Sequence, residues 1–88
     1  MKLNVDENKI NNSFFTQDFY ISCVLKSAGL QLKNLIHNSN GKATFVFENP
    51  NQIAEATIQK HWNRELKIIS LDLVEAINQI KTRIHSGI

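Results

Sequence analysis

The chain has 88 residues, 42% apolar and 20% charged, with ten basic side chains against eight acidic ones and a net charge of +2. That length holds one compact domain with no room for a separate substrate domain, and the composition excludes a disordered or collagen-like chain. So small a net charge neither requires nor excludes a polyanionic partner, whereas a domain of this size buries only about 60% of its unfolded surface, so self-association or a larger partner protein is expected to complete it.

A lone cysteine, Cys23, cannot form an internal disulfide and has no Cys or His at ligand spacing, which fits a reducing compartment. Met1 to Asn12 contain no apolar leader-like region, and no apolar run approaches the ~20 residues of a membrane span. The expected localisation is therefore cytoplasmic, with no membrane contact.

Residues 1 to 12 are polar and Asn-rich and read as a flexible arm or a short edge strand carrying Leu3 and Val5; a single domain then fills residues 13 to 88. Thr16 is placed to cap a first helix, with Asp18 near its positive end, Phe15 stapling onto Tyr20, and Ile21, Val24, Leu25 and Ala28 at helical spacing. Gly29 ends it.

Leu30 to Ser39 and Lys42 to Glu48 alternate with period two around Asn40-Gly41, a dipeptide suited to a two-residue type I′ hairpin. A two-residue turn pairs Ser39 with Lys42, Ile36 with Phe45, Leu35 with Val46, His37 with Thr44 and Lys33 with Glu48. In that register Leu32, Ile36, Ala43, Phe45 and Phe47 face the helices. Leu35 and Val46 then sit side by side on the opposite, otherwise polar face.

Asn49-Pro50, with Gln52 three residues after the Asn, marks the start of a second helix whose stripe is Ile53, Ala54, Thr57, Ile58, His61 and Trp62, ending near Asn63. Leu66 to Ile69 is short and β-branched and reads as a third strand. Ser70 caps a last helix with Ile69 and Val74 as its staple, a seam of Leu73, Ile77, Ile80 and Ile84, and Gly87 at its end. The predicted fold is a two-layer α+β domain of order α-β-β-α-β-α. A right-handed return through the second helix gives an antiparallel three-stranded sheet of order 3-1-2 with helices on one face.

Several of these positions also resemble a small family of bacterial, archaeal and phage proteins known only as a domain of unknown function. The resemblance spans residues 14 to 85 and rests on the Thr16-Gln17-Asp18 helix start, Leu25 and Gly29, the Thr44-Phe45-Val46-Phe47 strand, Trp62-Asn63, and the Ile80-Lys81-Thr82-Arg83-Ile84 tail. The chain departs from that pattern at Cys23 and Lys26, where a helix richer in Ala is common, and at Arg64, where Gly is common and where the tightness of the turn is in question. The resemblance implies no activity.

For chemistry the chain offers little. Lys60, His61, Trp62, Arg64 and Lys67, extended by Lys33 or Lys42, gather cations around a ring that could stack on a base; the plainer reading makes Trp62 a core anchor and the cations a solvated helix end. Lys81, Arg83 and His85 sit where cations oppose the helix dipole. His37, His61, His85 and Cys23 lack metal-ligand spacing, His61 reads as a half-exposed packing residue, and Cys23 has no neighbouring base, so no catalytic residue, metal or cofactor is expected and no small-molecule substrate is evident. The expected function is a non-enzymatic protein-interaction module that self-associates or accompanies a larger protein, through the sheet face at Leu35 and Val46 or the seam of Leu73, Ile77, Ile80 and Ile84. The competing expectation is a nucleic-acid-binding accessory using Lys60 to Lys67, Lys33 and Lys42.

Overall fold

A computed structural model describes residues 12–86. The expected arm, apart from Asn12, and Gly87 lie outside them. The described elements are β1 (Ser13–Thr16), α1 (Phe19–Ser27), β2 (Leu32–His37), β3 (Ala43–Glu48), a 3-10 turn (Pro50–Gln52), α2 (Ile53–Trp62) and α3 (Ser70–Ser86). The α+β class with three helices and a three-stranded antiparallel sheet is as expected. The order is β-α-β-β-α-α, however, and the sheet runs β1-β3-β2.

The third strand is the main correction. Leu66 to Ile69 alternates half-buried and exposed like a strand but joins no ladder, and the chain instead recruits Ser13–Thr16 against β3. A hairpin leaves two edges open, and β1 occupies the one the right-handed crossover would have left free. Its two aromatic residues take opposite faces: Phe14 pairs with Phe47 and packs on the core, while exposed Phe15 pairs with Val46 on the other face. Phe15 is thus committed to the sheet rather than stapled across the helix start.

The hairpin lies where expected but one register step away. Asn38 and Lys42 close the ladder, the Asn38 carbonyl accepts from Gly41 N–H at 3.1 Å, and Gly41 has φ +87°. Only Gly41, not Asn40, adopts positive φ, so the loop has three residues ending in a left-handed glycine. Leu35 therefore pairs with Phe45 and Ile36 with Thr44, and a bulge between Leu32 and Asn34 sets Leu32 opposite Phe47. Because side chains alternate with period two, the step exchanges Leu35 and Ile36 between faces.

The inward face then supplies Leu35, Phe45 and Phe47, joined by Ile21, Cys23 and Leu25 of α1, Leu30, Ala54 of α2 and Ile80 of α3. All three helices contribute to this one core, and α3 lies against α1 in a slab 18 Å thick, the depth of one sheet and one helical layer.

The helix ends explain the local fit. Asp18, rather than Thr16, caps α1 by accepting from Ile21 N–H at 3.0 Å, and Thr16 instead turns the chain by accepting from Asp18 N–H at 3.1 Å. Gly29 N–H reaches the Lys26 carbonyl and Leu30 N–H the Leu25 carbonyl, both at 3.0 Å, a complete Schellman motif closed by the apolar contact of Leu25 and Leu30. Before α2, Asn51 and Gln52 both take positive φ, so Asn49 reaches five residues ahead to the Ala54 amide instead of forming the expected box with Gln52.

Candidate interaction surface

The sequence-predicted contact residues mostly turn inward. Leu35 and Ile80 are buried in the core, and Leu73, Ile77 and Ile84 are half-buried against it, so the α3 seam serves the chain itself. Val46 does face away from the helices but is shielded in the central strand between Phe15 and Asn34. The two-residue apolar patch expected on the outer sheet face is therefore split, and Phe15 and Ile36 are the exposed aliphatic and aromatic side chains there.

The residues expected to bind nucleic acid scatter. Lys33 donates to Ser13 Oγ at 2.8 Å on the sheet, and Lys42 closes the ladder at the end of the hairpin loop, its amide donating to Asn40 Oδ1 at 3.0 Å. On α2, Lys60 and Trp62 are two positions apart and so leave the helix about 160° from one another. Half-buried His61 lies between them on the core side. What the structure does bring together is His61 and Trp62, with ring centroids 4.8 Å apart and planes tilted by 59°. Arg64 and Lys67 are both exposed in the connection that follows.

Trp62 is the second correction. It is 67% exposed, not a core anchor, because α2 buries only Ala54 and Thr57 fully and both ends of the expected stripe, Ile53 and Trp62, lie outside the contact. Immediately after it, Arg64 N–H bonds the His61 carbonyl at 3.1 Å and Glu65 N–H the Lys60 carbonyl at 2.9 Å. This is a second complete Schellman motif, with Arg64 at φ 64° in the position that favours glycine. The turn is tight despite the arginine.

The connection then runs through half-buried Leu66 and Ile68 to α3, whose first helical bond goes from Leu73 N–H to the Ile69 carbonyl at 3.2 Å. Sequence reasoning missed what this opening exposes: Ile69 at 69%, Leu71 at 61% and Val74 at 51%. Leu71 and Val74 are three apart, on a flank that the inward set Leu73, Ala76, Ile77, Ile80 and Ile84 leaves behind. That offset was available in the sequence as a second apolar stripe. Trp62, Ile69, Leu71 and Val74 are thus all exposed in a stretch of chain that also exposes Arg64, Glu65, Lys67, Asp72 and Glu75.

Elsewhere the chemistry is quiet. Cys23 is buried, and burial pushes its thiol pKa up, with Asp18 adding to the rise and Lys81 opposing it. Among the described residues, no three His, Cys, Asp or Glu side chains gather as metal ligands, and no helix is long and apolar enough to cross a membrane. No buried side-chain polar atom among them lacks a hydrogen-bond partner.

These features define a small α+β domain with exposed apolar side chains on both sides of the connection between α2 and α3. The chain belongs to the family described as Domain of unknown function (DUF5659), whose model matches residues 11–86. No curated protein and no solved structure matches it.

Proposed function

We propose that this chain is a small non-enzymatic protein-interaction module whose contact surface is the α2–α3 junction. The observation that carries the reading is the exposure of Trp62, Ile69, Leu71 and Val74, each more than half accessible, within one short stretch of chain. Apolar side chains exposed singly need no explanation, but a tryptophan and three aliphatic residues on one junction are the composition of a contact surface. The nucleic-acid reading draws less support. Trp62 is free to stack, but Lys60 leaves α2 about 160° away from it, Glu65 offsets one of the remaining charges, and Lys33 and Lys42 belong to the sheet and the end of the hairpin loop rather than to this segment.

Position-specific crosslinking in the producing cell tests this. A photoreactive p-benzoylphenylalanine replaces Leu71 in one protein and exposed Gln31, outside the junction, in another. The reading expects protein adducts from position 71 and few from position 31. Adducts with nucleic acid, or equal protein adducts from both positions, contradict it.

A further inference from the structure

We propose that Asn40 is a modification site: it loses ammonia spontaneously through attack by the Gly41 backbone nitrogen, and the isoaspartate that results loosens the β2–β3 hairpin. This does not depend on where the chain's contact surface lies. Of the chain's asparagines only Asn40 is followed by glycine. Ser39, Asn40, Gly41 and Lys42 are all exposed, so water and hydroxide reach the peptide. Gly41 adds no side chain to crowd the attack, and the space where a Cβ would stand is open.

The loop also holds the carboxamide ready. Asn40 Oδ1 accepts from the Lys42 amide at 3.0 Å, which folds the side chain back along the backbone, over the Gly41 nitrogen that lies between the two residues. The same N–H then points at the oxygen on which negative charge develops as that nitrogen adds to Cγ. One contact opposes the step: Gly41 N–H donates to the Asn38 carbonyl at 3.1 Å and must leave it to give up its proton. That bond lies in the exposed loop, where opening costs least. The other described asparagines lack this combination. Asn38 Nδ2 is tied to Thr44 Oγ1 at 2.9 Å, Asn49 is buried before Pro50, whose nitrogen carries no proton, and Asn78 lies within α3.

The chemistry balances with water alone. The Gly41 nitrogen gives its proton to hydroxide and bonds to Cγ. The Cγ–Nδ2 bond then breaks, and Nδ2 takes a proton from water and departs as ammonia, leaving a succinimide ring. Water opens that ring at either carbonyl. Opening at Cγ gives aspartate, and opening at the backbone carbonyl gives isoaspartate, whose main chain runs through Cβ and Cγ and is one atom longer. Both products add a negative charge. Aspartate keeps an oxygen for the Lys42 amide, whereas isoaspartate lengthens the loop that closes on the 2.8 Å bond from Asn38 N–H to the Lys42 carbonyl.

The test holds the purified full chain in warm, mildly alkaline buffer, folded in one sample and in guanidinium chloride in another. Peptide mass spectrometry follows each asparagine, and electron-transfer fragmentation tells isoaspartate from aspartate. A gain of about 1 Da is expected at position 40 at least about tenfold faster than at any other asparagine, with isoaspartate among the products. Another asparagine reacting first overturns the proposal. The folded chain is expected to react no slower than about one third of the unfolded rate, and a slower folded rate overturns the proposal, because the turn then shields Asn40. The isoaspartate form, purified by ion exchange, is expected to unfold at a lower urea midpoint than Asn40→Asp. Equal midpoints overturn the effect on the hairpin.

Discussion

The side chain of Asn49 is buried at 2% exposure and joins the hairpin to α2 by accepting from the Ala54 amide at 2.7 Å while donating to Glu55 Oε1 at 2.9 Å. Its oxygen satisfies a buried amide that no turn of α2 can reach, because the two left-handed residues Asn51 and Gln52 displace the helix start. Asn49→Ala strands that amide and is expected to destabilise the fold by about 2 kcal/mol. Asn49→Asp keeps the acceptor, loses the donor and sets two carboxylates together, so an intermediate loss is expected. Urea denaturation of the three proteins checks the order.

Leu35 and Ile36 distinguish the two hairpin registers. Leu35 is 5% exposed and Ile36 is 41% exposed, so Leu35→Ala is expected to cost about 3 kcal/mol by leaving a cavity beside Phe45 and Ile36→Ala less than about 1 kcal/mol. The reverse order of losses in thermal or urea unfolding would place the turn at two residues and Leu35 outside.

The same hairpin shows how far the sequence could be read. Asn40-Gly41 located the turn correctly, but the dipeptide serves a two-residue loop and a three-residue loop ending in glycine equally well, and one step of register decides which of two neighbouring aliphatic residues enters the core. The α1 C-terminus was legible because Gly29 and the apolar Leu25 and Leu30 are local signals that no distant contact overrides. Strand membership was not local. Leu66 to Ile69 has genuine alternation, yet the ladder went to Phe14 and Phe15, a pair short enough to read as a lead-in to α1. On the surface, the seam from Leu73 to Ile84 was legible as an apolar face but not as an internal one, Val74 was read as a staple onto Ile69 although both stay exposed, and Leu71 was passed over. Trp62 was misplaced because a large aromatic residue on an amphipathic stripe is ordinarily buried, and only the shortness of the α2 contact leaves it out.

Arg64 carries a cost that can be measured. A non-glycine residue in the left-handed region loses roughly 1–2 kcal/mol, partly offset in a glycine variant by the greater freedom of the unfolded chain. Arg64→Gly is therefore expected to raise stability by about 0.5–1 kcal/mol, with a higher urea midpoint and an unchanged urea dependence. If the urea midpoint fell instead, Arg64 would be making a stabilising contact within the fold.

Cys23 sets an alkaline limit. Its thiol pKa is raised in the folded chain, chiefly by burial, so below the ordinary thiol range both states hold the proton and the contribution to stability is complete. As pH rises past that range the unfolded chain releases its proton first, and stability falls until the folded thiol ionises too. Cys23→Ala, although less stable overall for its lost packing, is expected to show a flatter decline over that alkaline window. Parallel slopes for the two proteins in urea titrations at stepped pH would assign the decline to other groups.

The most direct measurement uses the chain's single tryptophan, Trp62, which stands on the proposed contact surface. In dilute solution its emission is expected to be that of a solvent-exposed indole and strongly quenched by iodide. As concentration rises and light scattering follows the molar mass, self-association through this surface moves the emission to shorter wavelength and lowers the quenching. Emission already blue and protected in the dilute monomer, or emission that stays red and quenchable while the mass doubles, would contradict a contact built around Trp62.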